Sequence, residues 1–390
     1  MVIDSLTADV FRTIDSASRE MQTLLARLVA VPSENPPGEE YESCVRMLDD
    51  AAQSLGLRTE RLPIAEDPPR AAVRASIGHG SPAVVLHGHY DVVPAVTRDQ
   101  FIPRIEGDTL FGRGSSDMKS GLVAMLYAAS ALSATRALDR GTVELLFVPD
   151  EETGGAHGSG ALAATGRLGV NAVGMVLGEP TSGRVWNASR GAVTLEVTVR
   201  GRSAHVGLQH LGINAVERAM PLLDALFALK CELDARGSVL LVGGRVDAGT
   251  NFNLVPESCR FTVDRRTNPD EDFDHERRVL FDLLNSCQAA GINLSVAVIQ
   301  EGRSSSTPSD DHFGRILTGA IAEVCGEPAV VESCPGLLET RFYAERGIPA
   351  FAYGPGILAV SHGPNEFVKL SAVVACAKVY ALTAMHALPG

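Results

Sequence analysis

The sequence predicts an α/β catalytic domain, a central mostly parallel sheet flanked by helices, with a smaller α+β domain inserted into it. Three observations carry this reading. Short apolar runs that read as buried strands end in polar loops and lead on to helices, the order of a parallel sheet. Those loops hold histidines and acidic residues, and α/β folds bind ligands at the carboxyl ends of their strands. Between residues 190 and 302 the pattern changes to alternating strands and two helices, as in a separate small unit.

After the Pro36-Pro37-Gly38 turn, apolar Tyr41, Val45, Leu48, Ala51, Ala52 and Leu55 recur at helical spacing over residues 39–55. Residues 83–86 read as a buried strand that runs straight into His87-Gly88-His89-Tyr90-Asp91. A small-residue helix over 120–132 begins directly after Asp117-Met118-Lys119. The strand over 142–148 ends in Pro149-Asp150-Glu151-Glu152, and that over 173–177 in Gly178-Glu179-Pro180-Thr181. In the inserted region Val193, Leu195, Val197 and Val199 fall on one side of a half-exposed strand, which is expected to supply an edge for pairing between two copies. A helix is predicted over 214–229, a strand over 261–266 and a last buried strand over 349–353. The expected division is a discontinuous catalytic domain, 1–189 with 303–390, around an inserted domain at 190–302.

A chain of 390 residues suggests two domains, and 45% hydrophobic with 21% charged residues is globular. The longest apolar runs, such as 83–86 and 145–148, are strand-sized, so no membrane-spanning segment is expected. Residues 1–6 show no secretory leader. With 34 basic against 47 acidic residues, a net charge of −13 and no basic stripe, nucleic acid is excluded as an expected partner. Seven scattered cysteines without close pairs indicate reduced thiols and a cytoplasmic location, and argue against a cysteine-type zinc site.

His89, Asp117, Glu151-Glu152 and Glu179 sit in loops that follow strands or precede helices, and Ser361-His362-Gly363 adds a fifth site near the C-terminus. Imidazole with carboxylate is the ligand set of zinc, or of cobalt or manganese in its place. Two histidines and three carboxylates are what two ions need if one carboxylate bridges them, and such ions sit roughly 3.5–4 Å apart. Each motif alone has a plainer reading. A loop histidine is more often a surface or capping residue, an acidic pair is usually solvated, and Asp117 could cap the next helix. Their common placement at strand ends favours the metal reading.

The runs His87-Gly88-His89-Tyr90-Asp91-Val92-Val93-Pro94 and Gly112-Arg113-Gly114-Ser115-Ser116-Asp117-Met118-Lys119 resemble the metallopeptidase M20 family. So do Asp150-Glu151-Glu152-Thr153-Gly154-Gly155, Gly178-Glu179-Pro180-Thr181 and Ser203-Ala204-His205, in order and over nearly the whole chain. That family contains acetylornithine deacetylases, succinyl-diaminopimelate desuccinylases, aminoacylases and glutamate-releasing carboxypeptidases. The resemblance implies two divalent ions, zinc or else cobalt or manganese. His89, Asp117 and Glu179 would hold one of them, and Asp117, Glu152 and His362 the other. Glu151 would be the general base, Asp91 would orient the His89 imidazole, and the Asp117–Met118 peptide would be cis. The inserted domain would be a lid and dimer interface. From it His205 would reach the partner subunit's site to stabilise the oxyanion, while Asn253 and Arg266 would bind the substrate's α-carboxylate. One departure concerns the Gly-Thr-Asp-type run common in the family. Gly336 is kept as a substrate-binding candidate, but Leu337, Leu338 and Glu339 follow it, which points to a less polar acyl or side-chain pocket. The implied protein is a homodimeric amidohydrolase acting on an N-acyl amino acid, or else a metallo-exopeptidase acting on a short peptide.

Overall fold

Four parallel strands, Gly141–Val148, Ala83–His89, Ala172–Leu177 and Ala350–Ala352, are hydrogen-bonded in that order at the centre of the larger unit. The structure, a computed structural model, describes residues 4–66 and 69–388. Every residue of Ala83–His89 is buried. A strand covered on both faces has no polar side to show, so its sequence is an apolar run without alternation. Five further strands complete the nine-stranded sheet: Pro69–His79 and Arg58–Glu66, antiparallel, on one side, and on the other Val185–Ser189, antiparallel to Ala350–Ala352, with Ser305–Ser306 and Val331–Cys334 paired to it.

Helices cover this sheet by the stripes the sequence carries. Tyr41–Ser54 buries Tyr41, Val45, Leu48 and Ala52. Ser120–Thr135 is buried almost all round, which its small residues allow. A Cβ on Gly121 would stand 2.6 Å from the Gly178 carbonyl oxygen, so only glycine lets this helix approach the strand end that carries Glu179.

The C-terminal helix Leu370–Ala387 is more apolar than the strand-sized runs of the sequence suggest. It is long and apolar enough to cross a bilayer by length and composition alone. Single Ser, Thr and Lys residues interrupt its apolar runs, so run length understates its mean hydropathy. Half of it is buried, and it packs against Ser120–Thr135 and His312–Cys325 as a core helix.

The chain divides into two compact units, Met1–Ala188 with Ser306–Cys334 and Glu339–Gly390, and Ser189–Ser305 with Pro335–Leu338. The smaller unit is a four-stranded antiparallel sheet in the order Val239–Ala248, Ser258–Thr267, Gly191–Arg200, Leu294–Gly302. Helices Ala215–Ala235 and Phe273–Ala289 share its apolar core with Val193, Leu195, Val197 and Val199. The alternation in the sequence is therefore real, but the inference of a free edge is wrong. Gly191–Arg200 is paired on both sides, and the edges are Val239–Ala248 and Leu294–Gly302. Alternation reports one buried face, whereas an edge is a matter of backbone partners, which side-chain patterning does not encode.

Candidate metal centre

His89 closes the strand Ala83–His89 and is fully buried. Its Nδ1 lies 2.9 Å from the Asp91 carbonyl oxygen. A carbonyl only accepts, so Nδ1 donates its proton and Nε2 faces inward as the free nitrogen. That Nε2 lies 3.3 Å from Asp117 Oδ1, 3.7 Å from Glu179 Oε1 and 3.9 Å from Glu151 Oε2. Across the cluster, His362 Nε2 lies 3.2 Å from Asp117 Oδ2 and 3.4 Å from Glu152 Oε2. The two oxygens of Asp117 therefore face two different imidazoles.

These residues fit a pair of cations. His89 Nε2, Asp117 Oδ1 and Glu179 Oε1 are buried and have no hydrogen-bond partner among the described residues. A buried polar atom left bare costs about 1–3 kcal/mol, more when charged, and a divalent ion at their meeting point would satisfy all three. Two overlapping sets, His89 with Glu151 and Glu179, and His89 with Asp117 and Glu152, each bring their ligand atoms within 4.8 Å.

The electrostatics agree. Burial, reinforced by the charges of Glu152, Glu339 and Asp117, pushes Glu151 well above the usual carboxylate range. Burial and Asp117 do the same to Glu179. Asp117 moves the opposite way: burial would raise it, but the nearby imidazoles of His362 and His89 outweigh that. Hydrogen bonds to Asp117 and Glu152 raise His362 to about 11. For His89, burial opposes a charge, yet Asp117 and Asp91 still lift it well above an ordinary histidine. Four carboxylates around two imidazoles thus draw positive charge to the Nε2 atoms, and a divalent metal supplies it more densely than a proton.

Several groups hold the ligands in place. The Asp91 carboxylate accepts from Asn35 Nδ2 at 2.8 Å, from the Glu152 backbone N–H at 3.2 Å and from that of Glu151 at 3.3 Å. It stands 3.5 Å from His89 Nδ1, so the imidazole is held chiefly by the Asp91 backbone and the carboxylate chiefly fixes the Glu151-Glu152 loop. Glu152 Oε1 accepts from the Val93 N–H at 3.2 Å. The Asp117–Met118 peptide is cis. Asn35 is absent from the sequence reading; ahead of two prolines it looks like an ordinary turn residue. His87 opens the first motif without a role of its own there, and its buried ring lies 2.7 Å from Glu339 Oε2 and 2.9 Å from the Tyr343 hydroxyl.

The remaining predicted residues lie in the smaller unit. His205 is exposed and caps the turn Val206–Leu211, its Nδ1 accepting from the Gly207 N–H at 3.1 Å. The Val206 N–H donates to the Asn253 carbonyl at 2.9 Å, so His205 and Asn253 lie on adjoining segments. Arg266 directs Nε and Nη2 to the Asp264 carboxylate at 2.9 and 3.0 Å. The fork expected to take a substrate carboxylate is held by an internal one, two residues earlier on the same strand face. The Gly336 carbonyl accepts from the Arg190 N–H at 2.9 Å, and Leu337 and Leu338 are buried.

Acidic and imidazole ligands converging at the ends of parallel strands, with buried atoms left bare, mark the class of hydrolase with a metal centre. The chain belongs to peptidase family M20/M25/M40, whose family model matches residues 85–386. It is 27% identical over 394 residues to a probable succinyl-diaminopimelate desuccinylase of Staphylococcus epidermidis, covering 92% of this chain and 95% of that one. Among solved structures, the dipeptidase Dug1p of Saccharomyces cerevisiae superposes with a TM-score of 0.81 at 16% identity, over 98% of each chain. The M20 family metallo-carboxypeptidase Sso-CP2 of Sulfolobus solfataricus gives 0.79 at 20% identity, over 94% of this chain and 98% of that one. At such identities the two structures speak for the fold alone. The protein is accordingly a hydrolase of amide or peptide bonds.

Proposed function

We propose that the protein hydrolyses the amide bond of an N-acyl amino acid, using two divalent ions bridged by Asp117. The observation that carries this reading is Asp117 itself, with one oxygen toward His89 and Glu179 and the other toward His362 and Glu152. When bound, the ions, zinc or else cobalt or manganese, supply Lewis-acid activation of the attacking water and of the scissile carbonyl. Glu151 stands beside ligand Glu152; its carboxylate also comes within 4.8 Å of the His89 and Glu179 ligand atoms, but an ion held by His89, Asp117 and Glu179 already has three protein ligands without it. Its raised affinity for a proton suits a general base. It takes a proton from water as the new C–O bond forms and returns it to the nitrogen as the C–N bond breaks. Because His205 Nδ1 accepts from Gly207, its neutral ring carries hydrogen on Nε2, the donor that oxyanion stabilisation requires. Asn253 and Arg266 would bind the substrate's α-carboxylate, with Asp264 yielding the guanidinium fork.

Leu337 and Leu338, which follow Gly336, favour acyl groups with apolar bulk over succinyl, since a second carboxylate desolvated against leucines is costly. The same pocket would suit an apolar side chain of a dipeptide, so an exopeptidase with the same mechanism is the second reading. An amine-release screen over N-acetyl, N-succinyl and N-formyl amino acids, longer apolar N-acyl derivatives and dipeptides, with zinc, cobalt or manganese, separates them. Apolar acyl substrates are expected to show the highest kcat/KM. A maximum on N-succinyl substrates would overturn the reading of the leucines, and a maximum on dipeptides would favour the exopeptidase.

The smaller unit also favours a homodimer. Val216, Met220 and Phe227 are exposed on Ala215–Ala235, and Leu241 and Val246 on the edge strand Val239–Ala248. An exposed apolar row beside a free strand edge is a self-association surface. His205→Ala is expected to lower kcat by about 10²–10³ with KM little changed, because the interaction forms mainly in the transition state. Mixing His205→Ala with Glu151→Ala chains is expected to restore activity through hybrid dimers. If labelled chains exchange and the mixture stays inactive, His205 does not act across the interface. The seven free cysteines favour a reducing, cytoplasmic setting.

A further inference from the structure

His89 and His362 are held in opposite ways. The His89 ring is fully buried and its Nδ1 is fixed by a hydrogen bond. The His362 side chain is 52% exposed, and no hydrogen bond holds its Nδ1 among the described residues. Its backbone is left-handed, φ 63°, a conformation that persists for histidine only where the surroundings impose it. The aim of this ring is therefore set by whatever anchors its backbone.

That anchor is a buried ion pair. Arg113 and Glu366 have side chains 1% and 0% exposed, with Arg113 Nη1 donating to Glu366 Oε2 at 2.6 Å. The other arm of the fork, Arg113 Nη2, donates to the His362 carbonyl at 3.0 Å. The second oxygen of the pair, Glu366 Oε1, accepts from the backbone N–H groups of Gly114, Ser116 and Asp117 at 3.0, 2.9 and 3.0 Å. One salt bridge thus touches the main chain of the bridging aspartate and the main chain of the exposed histidine. A buried pair of this kind is poor value as a stabiliser, since apolar replacements often serve as well. Its geometry, a planar fork serving two acceptors in two loops, is what an apolar pair could not reproduce.

We infer that Arg113 and Glu366 are positioning residues that hold His362 against Asp117, so that the ion between Asp117, Glu152 and His362 depends on this pair. The inference rests on the two-ion reading above. The ion at His89, Asp117 and Glu179 depends on it much less, because His89 and Glu179 are placed by the sheet.

The test is metal titration of purified metal-free protein with zinc, by calorimetry and by competition with a chromophoric chelator, on wild type, Arg113→Lys and Glu366→Gln. Lysine keeps the charge but not the fork. Glutamine can still accept from the three N–H groups through its oxygen, but it turns a donor toward Arg113. Both variants are expected to weaken one of the two equivalents by about 10–100-fold, the range for groups that support ligands, and to leave the other near wild type. Activity is expected to return toward the wild-type kcat at saturating zinc. Equal weakening of both sites, no weakening, or a kcat that stays low at saturation would overturn the inference. So would loss of the folded protein in both variants, which would make the pair purely structural. Wild-type protein that binds fewer than two ions would instead bring down the two-ion reading on which the inference rests.

Discussion

Asp117→Ala is expected to strip both ions from the centre together. Each oxygen of this carboxylate faces a separate imidazole, at 3.3 Å for His89 and 3.2 Å for His362. Without it one ion keeps only His89 and Glu179 and the other only Glu152 and His362, fewer than the three or four protein ligands that usually hold zinc. The fold should survive, because Glu366 grips the Asp117 backbone N–H and not its side chain. Metal analysis after dialysis, with circular dichroism to check the fold, reads the outcome. A folded variant that retains one full equivalent of tightly bound metal would count against a bridge.

Glu151→Ala is expected to lower kcat by about 10²–10⁴, the usual contribution of a general base, while two equivalents of metal remain bound. The separation of the two effects is the informative part. Glu151 Oε2 lies 3.9 Å from His89 Nε2, farther than Asp117 or Glu179. The Glu152 side chain, by contrast, is fixed by the Val93 N–H and directed at His362. Glu151→Gln, which keeps the shape but cannot carry the proton, is expected to be about as inactive. Turnover within about tenfold of wild type in either variant would remove Glu151 from the proton transfers, and loss of metal would make it a ligand.

Much of the larger unit is legible from local pattern. The helix over 39–55 and the strands over 83–86, 142–148 and 173–177 are all present, with ends shifted by a few residues. The helix buries the stripe its periodicity marks at Tyr41, Val45, Leu48 and Ala52, and the strands bury their apolar runs apart from exposed Val173. The helix predicted over 214–229 runs on to Ala235, since no strong stop signal follows Leu229. Other features depend on partners. Gly191–Arg200 looks like an edge strand and is a central one. Leu370–Ala387 has the composition of a membrane span and is a core helix because of what packs on it.

The same division runs through the site. By itself the sequence determined the inventory: His89, Glu151, Glu152 and Glu179 follow buried strands and so gather at one sheet end, while Asp117, before a helix, and His362 joined them through the family resemblance. A short polar segment after a buried strand has only one end of the sheet to occupy, so the meeting follows from chain order. Tertiary structure alone decided how they meet. It turned the two oxygens of Asp117 toward different histidines, gave the hold on His89 to the Asp91 carbonyl, and closed the Arg266 fork on Asp264. It also set Glu366 beneath Asp117 and Arg113 against His362, pairs of residues about 250 positions apart in the chain. Hydrophobic periodicity is a property of neighbours along the chain, whereas a hydrogen bond between distant loops depends on side-chain directions that only the packed sheet defines.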